Sequence, residues 1–282
     1  KTIYFRDEHF FHNKKRIPQL IDFYRENNFK FKWRATIRAG DVRERYVNQE
    51  LLKKLEGINC ECLKFGIESG SDKILKMLRK GLRVKHTKQV VDLMANFPKI
   101  NLNASFLIGV PGENKDDYSK TLKMCNYITS KVKNYTIIGP QFYRIYPGGQ
   151  LYDSIQSDYG VQVPKTFEEW ESRYKINANK IDYIDQGVNH PWIKGKDLFL
   201  TQNAHKLIQI LAFNDKGVTA RKLIKFLLFP LQSILRLRIK LGFYDFLFEL
   251  QLFYFLKEFA RGFSWVRSNC TIEGSNSMGN FE

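Results

Sequence analysis

Two stretches of sequence carry most of the information about this chain: Phe65-Gly66-Ile67-Glu68-Ser69-Gly70-Ser71 and Phe106-Leu107-Ile108-Gly109-Val110-Pro111-Gly112-Glu113. Each begins in an apolar, strand-like run and ends in small and polar residues typical of loops. Because the carboxyl ends of parallel strands meet at one edge of a sheet, where ligands bind, we expect the two loops to share a binding site.

Strand and helix patterns alternate through the first half of the chain. Apolar, β-rich runs lie at about 2–6, 31–37, 62–67, 101–109 and 135–145, and helical patterns lie near 14–27, 48–56, 72–79, 86–97 and 115–131. Asn48 and Asn114 stand at helix N-cap positions, with Asp116 and Asp117 in a favourable first turn. Five strand–helix repeats predict an α/β fold with a parallel sheet, either a barrel or doubly wound.

The pattern changes after Pro147-Gly148-Gly149, where strands give way to aromatic, basic segments. Thr166 and Glu169 form a predicted capping box, and 198–259 reads as mostly helical, broken at Pro230. The segment from about Ser264 is rich in Ser, Asn and Gly and predicts disorder. We therefore predict a barrel domain at 1–154, a mainly helical region at 155–263 and a disordered tail at 264–282.

The chain is strongly basic, with 46 Lys and Arg against 29 Asp and Glu and a net charge of +17. This charge favours anionic partners without choosing among phosphates, nucleic acid and lipid headgroups. Four cysteines are too few and too irregular for a secreted disulfide framework, and no apolar run is long enough to span a membrane. We expect a cytoplasmic protein, in contact with a membrane at most peripherally.

Four sequence blocks, in order across residues 3–152, resemble those of radical S-adenosylmethionine (radical SAM) enzymes, which have a partial (βα)6 barrel. Asp7-Glu8-x-Phe10 resembles an acidic second-strand motif, and Glu68–Gly81 resembles the "ESGS…VLxxxxKG" block. Ser105–Asn114 resembles "GxIxGxPGET", with Ser105 for the first glycine and Asn114 for the threonine. Gln141–Tyr152 resembles "PxPGTxLY", with Gly149 for the threonine. The resemblance implies that strands two to six of the barrel are present.

The same resemblance implies residues that contact S-adenosylmethionine. Asp7 or Glu8 would bind the methionine amino group, and Glu68 the ribose hydroxyls or the same ammonium. The full set is Asp7, Glu8, Glu68, Ser69, Ser105, Ile108, Gly109 and Tyr143. Plainer roles remain open: the acidic pair as a helix cap, Ser71 as an N-cap, Pro-Gly-Glu as a turn, and the 147–152 segment as an exit from the barrel.

The cluster motif of the family, CxxxCxxC, is absent from this chain. Cys60-x-Cys62 has the wrong spacing and Cys125 lies in a predicted helix, so buried, incidental cysteines are the better interpretation and we predict no metal ligands here. The five histidines lack zinc-site spacing, although His9 and His12 lie near the predicted site. We expect a truncated chain, inactive alone, whose cluster ligands lie upstream, and the alternative is a barrel that has lost its chemistry.

The helical second half resembles the extensions of cobalamin-dependent radical SAM proteins. This implies reductive cleavage of S-adenosylmethionine at a 4Fe-4S cluster to a 5′-deoxyadenosyl radical, and cobalamin-dependent methyl transfer to an unactivated carbon. The expected partners are a small-molecule or lipid-linked substrate and an electron donor such as flavodoxin or ferredoxin.

Two alternative functions remain open. One is a tRNA methylthiotransferase, although nucleic acid is disfavoured because no RNA-gripping β-barrel follows. Another is a non-catalytic nucleotide-binding or membrane-surface protein. The basic helices of 221–261 would either cap the barrel or lie on an anionic membrane surface.

Overall fold

A computed structural model describes residues 1–43, 46–145, 147–148, 150–174, 191–213, 219–244, 247–253 and 255. The strands are β1 (Thr2–Tyr4), β2 (Lys32–Ile37), β3 (Cys60–Glu68), β4 (Asn101–Ile108) and β5 (Tyr135–Phe142). The helices are α1 (Arg16–Glu26), α2 (Ala39–Arg43), α3 (Gln49–Gly57), α4 (Asp72–Met77), α5 (Val84–Met94), α6 (Lys115–Lys131), α7 (Gln150–Tyr159), α8 (Phe167–Tyr174), α9 (Gly195–Ala212) and α10 (Thr219–Leu241).

The five strands form one parallel sheet in the order β1-β2-β3-β4-β5, with helical crossovers between them. This half-barrel confirms the predicted α/β class and its five strands. The boundaries of α1, α5 and β5 shift by a few residues. Helix α5 begins earlier than predicted because the Arg83 backbone N–H donates to His86 Nδ1 across 3.0 Å at its start.

The two faces of the sheet differ because side chains alternate along each strand. On β4, Leu102, Ala104, Phe106 and Ile108 are buried in the main core with the flanking helices, whereas Asn103 and the other alternate residues are only half-buried. The strands thus place an apolar surface against the helices and leave the concave inner face polar.

Local capping signals in the sequence are confirmed by their hydrogen bonds. Asn48 Oδ1 accepts from Leu51 N, and Asn114 Oδ1 accepts from the backbone N–H groups of Asp116 and Asp117. Glu169 N donates to Thr166 Oγ1, while the Glu169 carboxylate accepts from the backbone N–H groups of residues 165 and 166.

The C-terminal helices pack on the barrel through α6. Thr201 Oγ1 on α9 donates to Tyr118 Oη at 2.7 Å, and Tyr244 Oη lies 3.0 Å from Ser119 Oγ. The hydroxyl pairs satisfy polar groups that packing buries. Packing of the C-terminal helices on the barrel, one of the two arrangements that the sequence left open, is therefore part of this fold.

The expectation that Pro230 ends a helix is wrong, because α10 continues through it. Proline removes one backbone hydrogen bond, but Leu228, Leu231, Leu235 and Ile239 on the opposite side of α10 are buried in the core. That packing holds the helix together on both sides of the proline.

No helix within the described ranges is long and apolar enough to cross a bilayer. The predicted tail at 264–282 lies outside the described residues, as does Cys270. The predicted domain limits at 154 and 263 stay predictions.

Candidate functional site

Three strand ends and a later segment meet at the carboxyl edge of the sheet. Glu68 ends β3, residues 109–113 follow β4, and Tyr143 follows β5 with its N–H donating to Ile108 O at 2.7 Å. Trp192 reaches the same edge from beyond α8. The edge that the sequence predicted as a ligand site is therefore assembled from both halves of the chain.

Glu68 is held in an uncommon backbone conformation at this edge, with φ of 65°. Its Oε1 lies 3.0 Å from Lys80 Nζ, and its side chain is only 18% exposed. A Cβ on Gly66 would lie 2.7 Å from Glu68 Oε1, so the carboxylate occupies space that only glycine leaves free. The structure thus folds Glu68 back over the end of β3.

The loop after β4 is fixed by the Glu113 side chain. Its Oε2 accepts from Gly109 N at 2.6 Å and from Val110 N at 3.1 Å, and Gly109 has a φ of 76°. Burial raises the pKa of the Glu113 carboxyl to about 8, although the two backbone N–H groups oppose that rise. Pro-Gly-Glu is therefore more than a turn, because its glutamate clamps the residues that precede it.

Trp192 was missed by the sequence analysis. Its indole Nε1 donates to Gly109 O at 2.9 Å, and its ring packs edge-on against Tyr143 and tilted against Tyr159, with centroid distances of 6.4 and 5.3 Å. A Cβ on Gly109 would approach Ile193 at 3.3 Å. Trp192 and Gly109 are 83 positions apart, and no sequence pattern predicts a contact over such a separation. The only indication in the sequence was that segment 155–200 contains aromatic residues.

Ser69 and Gly70 lie against α6. Ser69 Oγ is fully buried, 3.1 Å from Thr121 Oγ1. A Cβ on Gly70 would lie 2.2 Å from Lys120 O, so the absence of a side chain lets the backbone lie directly against this helix. The Ser69 hydroxyl already has protein partners, and its predicted contact with the cofactor stays a prediction.

Asp117 on α6 joins two of the sequence blocks. It accepts from Ser71 Oγ at 2.6 Å and from Lys73 Nζ at 2.9 Å, and Lys73 also donates to Gly112 O at 2.5 Å. Burial alone would raise the pKa of Asp117, but the bonds from Ser71 and Lys73 outweigh it and leave that pKa lowered. Ser71 stands at the N-cap position of α4, but its hydroxyl bonds Asp117 and caps nothing.

Asp7 and Glu8 follow β1 and are both exposed. Asp7 Oδ1 pairs with Arg16 Nη1 at 2.9 Å and lines an open cleft of about 800 Å³ beside α1. The interpretation of the acidic pair as a helix cap is wrong, since the N-cap of α1 is Lys15 and makes no side-chain cap bond. Nearby, His9 Nε2 lies 2.8 Å from Asp41 Oδ2.

The concave face of the sheet carries a polar row that the sequence analysis also missed. The register pairs Thr36 with Lys64, Lys64 with Asn103, and Asn103 with Thr136. Asn103 Oδ1 is buried and accepts no hydrogen bond within the described part of the chain. Ser105, one row further on, has its hydroxyl 3.4 Å from Phe65 O. This inner face is suited to a polar ligand.

The three cysteines within the described ranges do not fit an iron–sulfur cluster. Cys60, Cys62 and Cys125 are buried and free, and burial raises the pKa of all three thiols, that of Cys62 to about 11. Cluster ligands are thiolates, which such burial disfavours. Within the described ranges, no group of three or more His, Cys, Asp or Glu side chains could hold a metal ion.

The sequence of this chain is similar to parts of several curated proteins. No family model matches the chain. It is 29% identical over 155 residues to an uncharacterized methyltransferase of Pyrococcus horikoshii, which covers 54% of this chain and 31% of that protein. It is 39% identical over 67 residues to a tRNA-2-methylthio-N(6)-dimethylallyladenosine synthase of Buchnera aphidicola, covering 23% and 14%. The matched part therefore spans less than a third of either curated relative.

The chain is 17% identical to a solved structure of the cobalamin-dependent S-adenosylmethionine radical enzyme OxsB with aqua-cobalamin and S-adenosylmethionine bound. Its match covers 95% of this chain and 48% of that chain, with a TM-score of 0.46. The ordered sequence blocks, the parallel half-barrel and the similarity to the curated relatives agree with one another. By these features of sequence and fold the chain is similar to radical SAM enzymes.

Proposed function

We propose that this chain is the S-adenosylmethionine-binding part of a radical SAM methyltransferase. The observation that carries the proposal is the preformed carboxyl edge, where Glu68, the 109–113 loop held by Glu113, and Tyr143 converge. Binding sites that are largely formed before the ligand arrives are typical of cofactor pockets. The named methyltransferase among the relatives supports the reaction class.

Glu68 is the residue to which we assign the polar contact. Its partner Lys80 is 41% exposed, and a pair of this kind contributes little stability. The carboxylate can therefore exchange the lysine for ribose hydroxyls or the methionine ammonium at small cost. Tyr143 and Trp192 offer ring surface for the adenine, whereas both backbone groups of Gly109 already have protein partners.

An iron–sulfur cluster, when bound to the full-length protein, would supply the electron that cleaves S-adenosylmethionine. Its ligands would have to come from outside the described residues, so we assign no chemical step to this chain. Cobalamin as the methyl carrier, an unactivated carbon as the acceptor, and flavodoxin or ferredoxin as the reductant complete the proposal. They rest on the resemblance of the sequence to corrinoid-dependent enzymes.

Two carboxylates on β3 provide a matched test. Glu68 and Glu61 are both ion-paired and similarly exposed, at 18% and 20%, but Glu61 pairs with Arg34 near the start of the strand. In the full-length protein we expect Glu68→Ala to weaken S-adenosylmethionine binding about tenfold, as for loss of a charge-assisted hydrogen bond, measured by calorimetry. Glu61→Ala should bind normally. Equal affinities for the two variants would remove Glu68 from the site.

The reaction class has its own test. Sequencing the locus upstream of the Lys1 codon should reveal CxxxCxxC within about 30 to 60 residues, the length of one or two βα units. Reduction of the reconstituted full-length protein should then release 5′-deoxyadenosine. Binding of S-adenosylmethionine without a cluster motif would instead support a non-catalytic barrel.

Modification of tRNA is a second candidate, favoured by the similarity to the Buchnera methylthiotransferase. Against it, α9 and α10 stand where such enzymes have a small RNA-binding β-barrel. Mass spectrometry of tRNA from a strain lacking the gene decides between the candidates. Loss of a 2-methylthio nucleoside would establish tRNA modification, and unchanged tRNA would exclude it.

A further inference from the structure

Five large apolar side chains are exposed on α10 and just after it. They form what we call the α10 patch: Phe229, Leu237, Leu241, Phe243 and Phe248, each between 47% and 69% exposed. Residues 229, 237 and 241 differ by multiples of four, so they lie along one side of the helix. Monomeric soluble proteins seldom expose such a row without a partner for it.

The α10 patch is not the surface that packs on the barrel. Leu231, Leu235 and Ile239 form the buried side of the same helix, and Gln232 Nε2 fastens it to Ile210 O of α9 at 2.9 Å. Helix α10 therefore has two apolar sides, one of which already serves the core. The second apolar side carries the α10 patch and is exposed.

Basic residues lie beside part of the exposed side. Helix α10 contains six Lys or Arg and no Asp or Glu. Lys123 and Asn126 of α6 face Arg236, Leu237 and Lys240 of α10 across an open cleft of about 480 Å³. Neither Lys123 nor Lys240 makes an ion pair with a residue in the described ranges. The cleft thus offers positive charge directly beside the apolar Leu237.

Two phenyl rings of the patch are held in place by a cation. The Arg238 guanidinium lies 5.3 Å from the Phe243 ring centroid and 5.4 Å from that of Phe248, and it pairs with the fully buried Glu249. Buried charges need such partners. The arginine fixes the two rings, while half of each ring surface stays open to solvent.

From these observations we propose that the α10 patch binds the surface of a membrane that contains anionic lipids. The apolar side chains enter the headgroup region, and Lys123 and Lys240 neutralise lipid phosphates or carboxylates beside them. Charge complementarity selects this occupant, because the basic residues Lys123, Arg236 and Lys240 lie beside the apolar row and match an anionic bilayer surface. This inference does not depend on the proposed enzymatic reaction.

Cosedimentation of the protein with lipid vesicles tests the proposal. We expect binding to phosphatidylcholine vesicles that contain phosphatidylserine, and little binding to phosphatidylcholine alone. Leu237→Ser/Leu241→Ser and Lys123→Glu/Lys240→Glu should each lower the partition coefficient about tenfold or more. The control variant Lys30→Glu/Lys53→Glu changes the net charge by the same amount, but at exposed positions away from α10, one in the loop between α1 and β2 and one on α3. This variant should retain most of the binding to the vesicles.

Three outcomes would overturn the assignment. One is no binding to the anionic vesicles by the wild-type protein. Another is an equal loss in the Lys30→Glu/Lys53→Glu control, which would reduce the effect to net charge. The third is a dimer in sedimentation velocity that Leu237→Ser/Leu241→Ser dissociates, which would assign the patch to a second copy of the chain. Circular dichroism of each variant verifies that it is folded.

Discussion

The indole N–H of Trp192 donates to the carbonyl oxygen of Gly109 at 2.9 Å, across 83 positions of sequence. It ties the loop after β4 to a segment that follows α8. The opposite side of Gly109 is held by Glu113, so this one glycine is fixed through both of its backbone groups. The predicted cofactor edge thus depends on a residue outside the barrel strands.

Replacing Trp192 by Phe keeps an aromatic ring but removes the donor to Gly109. We expect about a fivefold loss of S-adenosylmethionine affinity in the full-length protein, as for one neutral hydrogen bond of about 1 kcal/mol. Trp33→Phe is the control, because it loses an equivalent bond to Ile58 O at the amino end of β2. That variant should lose stability and keep its affinity, and the reverse pattern would contradict the role of Trp192.

Glu113 should make stability depend on pH. Its folded-state pKa of about 8 lies above the ordinary 4.5, so the native state holds the proton more tightly than the unfolded state. The stabilisation is complete below about pH 4.5 and is lost as pH rises toward 8, by at most about 1.4 kcal/mol per pH unit.

Glu113→Gln cannot titrate and should flatten this dependence, measured as Tm between pH 5 and 8. Glu26→Gln, which changes an exposed glutamate of α1, should leave the slope as in the wild type. An unchanged slope in Glu113→Gln would show that another group titrates.

Gly70→Ala should destabilise the protein by about 3 kcal/mol, the upper part of the usual range for overpacking, because its Cβ would meet Lys120 O at 2.2 Å. Gly57→Ala at the end of α3 is the matched control, since no atom lies within 4 Å of its Cβ. Urea denaturation should show a neutral or slightly stabilising effect there. If the two variants were equally stable, helix α6 would have to shift away from residue 70 at no cost in free energy.

Asp117→Asn should cost about 2–3 kcal/mol, because it weakens the bond from Ser71 and leaves Lys73 without its counter-charge. Since the pKa of Asp117 is lowered in the fold, its stabilisation is present above the ordinary 3.8 and is lost as pH falls below it. The difference from wild type should therefore shrink in acid. Asp116→Asn, at the exposed neighbouring position, should change little at either pH.

Sequence by itself determined the repeating strand–helix order, the parallel sheet and the caps at Asn48 and Asn114. These features depend on periodicity and on hydrogen bonds between residues two or three positions apart. The continuation of α10 through Pro230 was missed because the local rule for proline ignores the packing on the other side of the helix.

Only the tertiary structure decided what the motif residues touch. It placed Gly70 against α6, folded Glu68 over Gly66, and brought Trp192 to Gly109. These contacts, other than that of Glu68 with its near neighbour, join residues roughly 50 to more than 80 positions apart. Such contacts arise because burial of apolar surface brings distant elements together, and no local pattern records which side chains then become neighbours.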